Sequence, residues 1–230
     1  MNTEFWQNAW KNSQTGFTQK RTNPMLIEHF KVLNVPKGGR VFVPLCGKSI
    51  DILWFLSEGF EVVGVELSEI AVTQFFAENG LQATIPPYSI TPNLICYQTK
   101  HKGQSLKIWV GNIFDLSSIH VGQIDAIYDR GALVALPDTE PENLRTLYTQ
   151  KVMELNNTAN QLLLSFAYDG KKQRDDKYND LPPFLITQTQ LEQYYANYYD
   201  IHLVAREKLE YVSTAGDSGY RLVHTLISKK

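Results

Sequence analysis

Apolar positions fall into short continuous runs separated by helix-length stretches of mixed polarity, a rhythm of buried strands alternating with helices. The first run, residues 40–45, carries Pro44 only near its end, where a ladder donor is no longer needed. A turn at 46–49 follows, then a buried-looking helix over 51–56 that stops near Gly59, then a second strand over 61–65. A helix is expected over 68–79, with Ser68 as N-cap and Gly80 just beyond its end. Strands at 94–99 and 105–110 flank a polar turn at Gly103, and 124–128 and 161–166 are two more, separated by a helix over 141–156. A helix over 187–199 precedes a closing antiparallel hairpin, 201–212 with 220–227. Ahead of the first strand, 5–11 reads as a short amphipathic helix, and Asn23-Pro24 has the N-cap and first-position pattern of a helix continuing to Leu33. The pattern predicts an α/β fold: a Rossmann-like, seven-stranded, mainly parallel sheet with a terminal antiparallel hairpin and helices on both faces. We expect one domain over 1–230, with 1–36 a helical cover and 37–230 the core.

Composition narrows the function. The 230 residues are 43% hydrophobic and 20% charged, with a formal charge of -2, the profile of an ordinary soluble protein. That balance, with no long basic run, argues against nucleic acid as partner. The apolar runs are far too short to span a bilayer, and no secretory signal is read at the start. Two cysteines, Cys46 and Cys96, give no disulfide framework, which fits a reducing cytoplasm. The five histidines show no ligand spacing, so no metal is expected.

The chemistry gathers at predicted strand ends. Leu45 and Gly47 lie in the turn after the first strand, and Glu66 closes the second, nineteen positions after Gly47. In open α/β sheets ligands bind outside the carboxyl ends of the strands, and an acid about twenty residues past a glycine turn holds ribose hydroxyls. A dinucleotide site needs three spaced glycines, and here one stands alone; the glycine that should open a phosphate loop falls at Phe42, inside the strand. A ribose-bearing cofactor without phosphate explains both absences, and S-adenosylmethionine is the obvious candidate. Asn112 and Ile113 follow the strand ending at Val110, placed to meet an adenine ring, or else to form a polar turn. Asp129-Arg130 comes directly after 124–128; the arginine can clamp a carboxylate or attract anionic sulfur, or pair with Asp129 as a surface ion pair. Trp6 and Trp10 share a helical face and, with Phe17, form either core packing or a cover that excludes water. Cys46 has no nearby histidine to activate it and reads as a small apolar turn residue.

These segments carry a resemblance. Phe5-Trp6-Gln7-Asn8-Ala9-Trp10, Val43-Pro44-Leu45-Cys46-Gly47-Lys48-Ser49, Val63-Gly64-Val65-Glu66-Leu67-Ser68 and Tyr128-Asp129-Arg130-Gly131-Ala132-Leu133 resemble the bacterial type of thiopurine S-methyltransferase, a class I S-adenosylmethionine-dependent family, over essentially the whole chain. The resemblance implies cofactor contacts from Trp10, Leu45, Glu66 and Arg130, with Trp6, Gly47, Asn112 and Ile113 nearby. It implies that Phe17 closes over cofactor and substrate. Arg130 and Asp129, the latter as a polar helper, are the catalytic candidates. It further implies methyl transfer to the sulfur of an aromatic or heterocyclic thiol by a cytoplasmic monomer. Methylation of selenium or tellurium species, and a non-catalytic cofactor-binding module, are the alternatives. Gly131 stands in place of a more usual alanine, and Asn112 where bacterial relatives often carry an acid. The charged run 171–177 falls where a substrate cover belongs, and whether Arg221 reaches the crevice depends on how the hairpin is placed.

Overall fold

The computed structural model describes residues 3–83, 88–91, 93–139, 143–168, 182–212 and 218–230. The charged run 171–177 lies outside the described residues. Among the described residues nine strands form one sheet: β1 (Arg40–Val43), β2 (Glu61–Glu66), β3 (Tyr88–Thr91), β4 (Leu94–His101), β5 (Gln104–Val110), β6 (Ala126–Arg130), β7 (Asn160–Tyr168), β8 (Tyr199–Val212) and β9 (Ser218–Ser228). Their order is β3-β4-β5-β2-β1-β6-β7-β9-β8. The central run β5-β2-β1-β6-β7 is parallel, while β3 and β4 at one side and β9 and β8 at the other run antiparallel. Seven core strands were expected; all eight runs read as strands are present, and β3 makes nine among the described residues. The short β3 sits between prolines in sequence, a place where an edge strand survives but an apolar run does not announce itself.

The helices are α1 (Thr3–Lys11), α2 (Pro24–His29), α3 (Asp51–Ser57), α4 (Glu69–Glu78), α5 (Ser118–Val121), α6 (Leu144–Asn156) and α7 (Gln188–Tyr195). Short 3-10 turns occupy Phe30–Leu33, Ile113–Asp115 and Leu133–Ala135. The last predicted helix ends early because Tyr199 already belongs to β8. Two apolar cores lie on the two faces of the sheet. One gathers Leu26, Ile52, Phe55, Val72 and Phe75 from α2, α3 and α4 against Val41, Val43 and Tyr128. The other gathers Val121, Tyr148, Val152, Leu191 and Tyr195 from α5, α6 and α7 against Phe42, Val63, Ile127 and Leu163. Neighbouring strand residues thus feed opposite cores, the alternation that a pleated strand imposes. The strand order reverses between β1 and β6, which opens a crevice at their carboxyl ends.

Asn23 caps α2 as its sequence pattern implies: its side chain accepts from the Met25 N–H at 2.9 Å, with Pro24 at the first helical position. Ser68 precedes α4, but its side chain makes no capping bond; its own N–H is taken by Glu66 instead.

His224, opposite Leu163 in the β7–β9 ladder, is 1% exposed, and burial pushes its imidazole down to about 4. A histidine in the unfolded chain titrates near 6.5, so between those values the unfolded state binds more protons and stability rises with pH. His224→Leu should therefore abolish about 3 kcal/mol of acid sensitivity between pH 6.5 and 4. Urea unfolding across that range measures it; a variant as acid-labile as the parent would show that His224 is already charged in the fold.

Candidate active site

A cavity of about 670 Å³ opens at the crevice. Its floor is the turn after β1, Leu45 to Ser49, with Glu66 from the end of β2 and Arg130 and Gly131 from the end of β6. Leu164 and Phe166 on β7 and Arg221 on β9 extend the wall. The amino-terminal segment supplies the roof, with Trp6 and Trp10 of α1, then Phe17, Gln19 and Asn23.

Glu66 is 6% exposed, and both its oxygens are held: Oε2 accepts from the Gly47 N–H and Oε1 from the Ser68 N–H, each at 2.8 Å. Burial raises its carboxyl above the ordinary range, while these backbone N–H bonds pull the other way. An ionised carboxylate offers about four lone-pair sites, so two bonds leave capacity for a ligand's hydroxyl donors. The turn itself is tight: Leu45 has φ +44° and Gly47 φ +52°, and the Cys46 N–H donates to the Val65 carbonyl at 2.9 Å. A Cβ on Gly47 would come within 3.1 Å of Cζ2 of Trp10, so glycine lets the indole lie directly on the turn. Trp10 is 2% exposed, whereas Phe17 is 47% exposed and meets Trp6 and Trp10 edge to face, each at 5.5 Å between centroids. The Cys46 thiol is pushed well above its usual value, first by burial and then by Glu66, which keeps it protonated and unreactive.

β6 runs two residues further than predicted, so Asp129 and Arg130 are strand residues and point to opposite faces. They do not pair. Arg130 Nε donates to Asp51 Oδ2 at 2.8 Å and Nη2 to Ser49 Oγ at 3.0 Å, on the cavity side. Asp129, a catalytic candidate by sequence, is not among the cavity's lining residues. It is 1% exposed, accepts from the Ala132 and Leu133 N–H groups at 3.1 Å each, and from the Tyr148 hydroxyl at 2.7 Å. It thereby shapes the turn that presents Val134 and Ala135 to the cavity. Asn112 and Ile113 also stand off the lining. Asn112 Oδ1 accepts from the Phe114 N–H at 3.2 Å, and Ile113, 1% exposed, joins the core. Both stand just beyond Glu66 across the sheet, since the Gly111 N–H donates to the Glu66 carbonyl at 2.9 Å.

The structure thus brings together Trp6, Trp10, Phe17, Leu45, Gly47, Glu66 and Arg130, and leaves Asn112, Ile113 and Asp129 outside the lining. It adds Arg221, which faces Phe166 across the β7–β9 ladder and is ion-paired with Glu207. It also adds Ser49 inside the recognised motif, and Gln19 and Asn23 from the cover. No sequence spacing could have placed Arg221; the insertion of β9 between β7 and β8 does so. Among the described residues, no cluster of His, Cys, Asp or Glu could hold a metal ion, and no helix is long and apolar enough to cross a membrane.

An open sheet with a lone-glycine turn, an acid at the end of β2 and an aromatic roof defines an S-adenosylmethionine-dependent methyltransferase. Among solved structures, a Burkholderia thailandensis 1,6-didemethyltoxoflavin-N1-methyltransferase, holding 1,6-didemethyltoxoflavin and S-adenosylhomocysteine, superposes with a TM-score of 0.62 at 13% identity, covering 99% of this chain and 87% of that one. The family is narrower still: the sequence model for thiopurine S-methyltransferase matches residues 1–224, and the chain belongs to that family. Curated thiopurine S-methyltransferases from Psychrobacter cryohalolentis and Teredinibacter turnerae are 45% and 40% identical to it. The first alignment covers 87% of both chains, and the second 90% of this chain and 88% of the relative.

Burial pushes the Asp129 carboxyl up to about 6, against the opposing pull of Tyr148 and the two N–H groups. Between about 3.9, the unfolded value, and 6, the folded state binds more protons, so this group's contribution to stability falls as pH rises. Asp129→Asn, neutral throughout, should gain about 3 kcal/mol on the wild type between pH 4 and 6.5 in chemical unfolding. A constant difference across that range would mean that Asp129 is charged throughout.

Proposed function

We propose that the chain transfers the methyl group of S-adenosylmethionine to the sulfur of an aromatic or heterocyclic thiol such as a thiopurine, giving S-adenosylhomocysteine and a thioether. The observation behind this reading is a clamped acid, Glu66, and an oriented arginine, Arg130, that line one roofed cavity from two strand ends. Glu66 and Arg130 end strands separated by β1, so two strand spacings of roughly 4.8 Å lie between them. Glu66 takes the ribose hydroxyls on its remaining lone pairs. Leu45, Gly47, Trp6 and Trp10 enclose the sugar and the methionine arm, and the turn carrying Asn112 and Ile113 borders the adenine. Arg130 serves the cofactor's carboxylate or an anionic sulfur. Arg221, further along the same edge on β9, lies on the acceptor side.

The reaction is an in-line displacement. Held by Glu66, Leu45, Gly47, Trp6 and Trp10, S-adenosylmethionine would supply an activated methyl group: a sulfur lone pair of the acceptor would form the new C–S bond as the electrons of the methyl–sulfonium bond return to the donor's sulfur, which would leave neutral. The acceptor's proton is lost to solvent. Such thiols ionise readily, so no dedicated base is required, and Asp129, facing away from the cavity, has a positioning role. Alignment under the roof and exclusion of water by Trp10 and Phe17 supply several kcal/mol. Family membership favours sulfur over selenium or tellurium as acceptor. We further propose that 1–230 is one domain, with 1–36 the cover and 37–230 the core, acting as a cytoplasmic monomer on a small molecule and without nucleic acid; the modest charge of -2 supports the last point.

Radiolabelled methyl groups should pass from S-adenosylmethionine to 6-mercaptopurine, one S-adenosylhomocysteine appearing per thioether. No transfer to any member of a thiol panel would defeat the proposal. A charge-assisted hydrogen bond is worth about 1.5–3 kcal/mol, so Glu66→Ala should weaken S-adenosylhomocysteine binding roughly tenfold to a hundredfold by calorimetry. Unchanged affinity in a folded variant would remove Glu66 from the site.

A further inference from the structure

Arg130's counter-ion is Asp51, the first residue of α3, which is fully buried and absent from the cavity lining. Three donors converge on it. Arg130 Nε and the Tyr128 hydroxyl reach Oδ2 at 2.8 and 3.0 Å, and the Asn23 N–H reaches Oδ1 at 2.8 Å. Asn23 is the foot of the amino-terminal roof: it caps α2, its Nδ2 donates to Gln19 Oε1 at 3.2 Å, and both residues line the cavity. With Nε on Asp51 and Nη2 on Ser49, the guanidinium plane is fixed. Nη1 is then the terminal nitrogen left without an acceptor among the described residues.

We propose that Asp51 is a positioning residue: one buried carboxylate both aims Arg130 at the bound reactants and anchors the foot of the aromatic roof. A buried ion pair adds little stability over an apolar replacement, but it gives a planar, five-donor group a single direction. Anything that pulls on Arg130 is felt by the carboxylate that holds Asn23, so occupation of the cavity and ordering of the roof are linked through Asp51. This inference rests on the reading of Arg130 as a residue that meets cofactor or acceptor.

Four proteins test it: wild type, Asp51→Asn, Arg130→Met and the double variant, each assayed for methyl transfer to 6-mercaptopurine. An amide at 51 keeps the size but turns an N–H toward a donor, and a misplaced group can cost up to about a hundredfold. Asp51→Asn should lower kcat/KM about thirtyfold in the wild type and less than about threefold in the Arg130→Met background, because there is then no arginine to aim. Trypsin should cut after Lys20 or Arg21 about tenfold faster in Asp51→Asn, with S-adenosylhomocysteine giving less protection than in the wild type. Losses that multiply in the double variant, or unaltered cleavage, would overturn the proposal while leaving Arg130's role intact. An Arg130→Met enzyme as active as wild type would instead bring down the reading of Arg130 on which the proposal rests. Should Asp51→Asn not fold by circular dichroism, Ser49→Ala removes the clamp's other leg. It should cost about fivefold alone and nothing further with Arg130→Met, and multiplying losses would again overturn the proposal.

Discussion

Everything at this site depends on a carboxylate shared between two strand ends. Glu66 holds the Gly47 N–H of the turn after β1 and the Ser68 N–H at the start of α4, so the crevice floor and the mouth of α4 are fixed by one side chain. Desolvation makes that charge costly, and the two N–H groups partly offset the cost. The parallel ladder from β5 to β7 sets the spacing along the edge: Glu66 at β2, Leu45 to Ser49 after β1 and Arg130 at β6. Trp10 can close on this floor because residue 47 carries no side chain.

Strand alternation decides the roles of two adjacent ionisable residues. Asp129 turns to the face that carries α5, α6 and α7 and stiffens the turn bearing Val134 and Ala135. Arg130 turns to the face of α3, where Asp51 and Ser49 hold it at the cavity. One strand end thus supplies a structural acid and a site cation, with sheet geometry keeping them from neutralising each other.

Much of this was legible in the sequence, and the gaps have physical causes. Gly47 and Glu66 could be read because a βαβ unit ties spacing to geometry. Trp6, Trp10 and Phe17 were visible as a helical stripe with an aromatic beyond it, though a stripe cannot say whether it covers core or cavity. The β6 end was placed two residues short, which hid the alternation and left Asp129 as an apparent partner of Arg130. Asp51 fell inside the helix expected over 51–56 with no role of its own, because its three donors come from positions 23, 128 and 130 and meet only in the folded chain. Arg221 depends on sheet order, and β3 on an edge ladder that no apolar run marks. Asn112 and Ile113 follow β5 as expected, but the first caps a 3-10 turn and the second packs in the core, and neither lines the cavity.

A crystal structure of the protein with S-adenosylhomocysteine would show which groups hold the nucleoside. The ribose diol should lie on the outer lone pairs of Glu66, beneath Trp10, with the Gly47 and Ser68 bonds intact. Nucleoside density elsewhere, with Glu66 bonded only to the backbone, would contradict this placement.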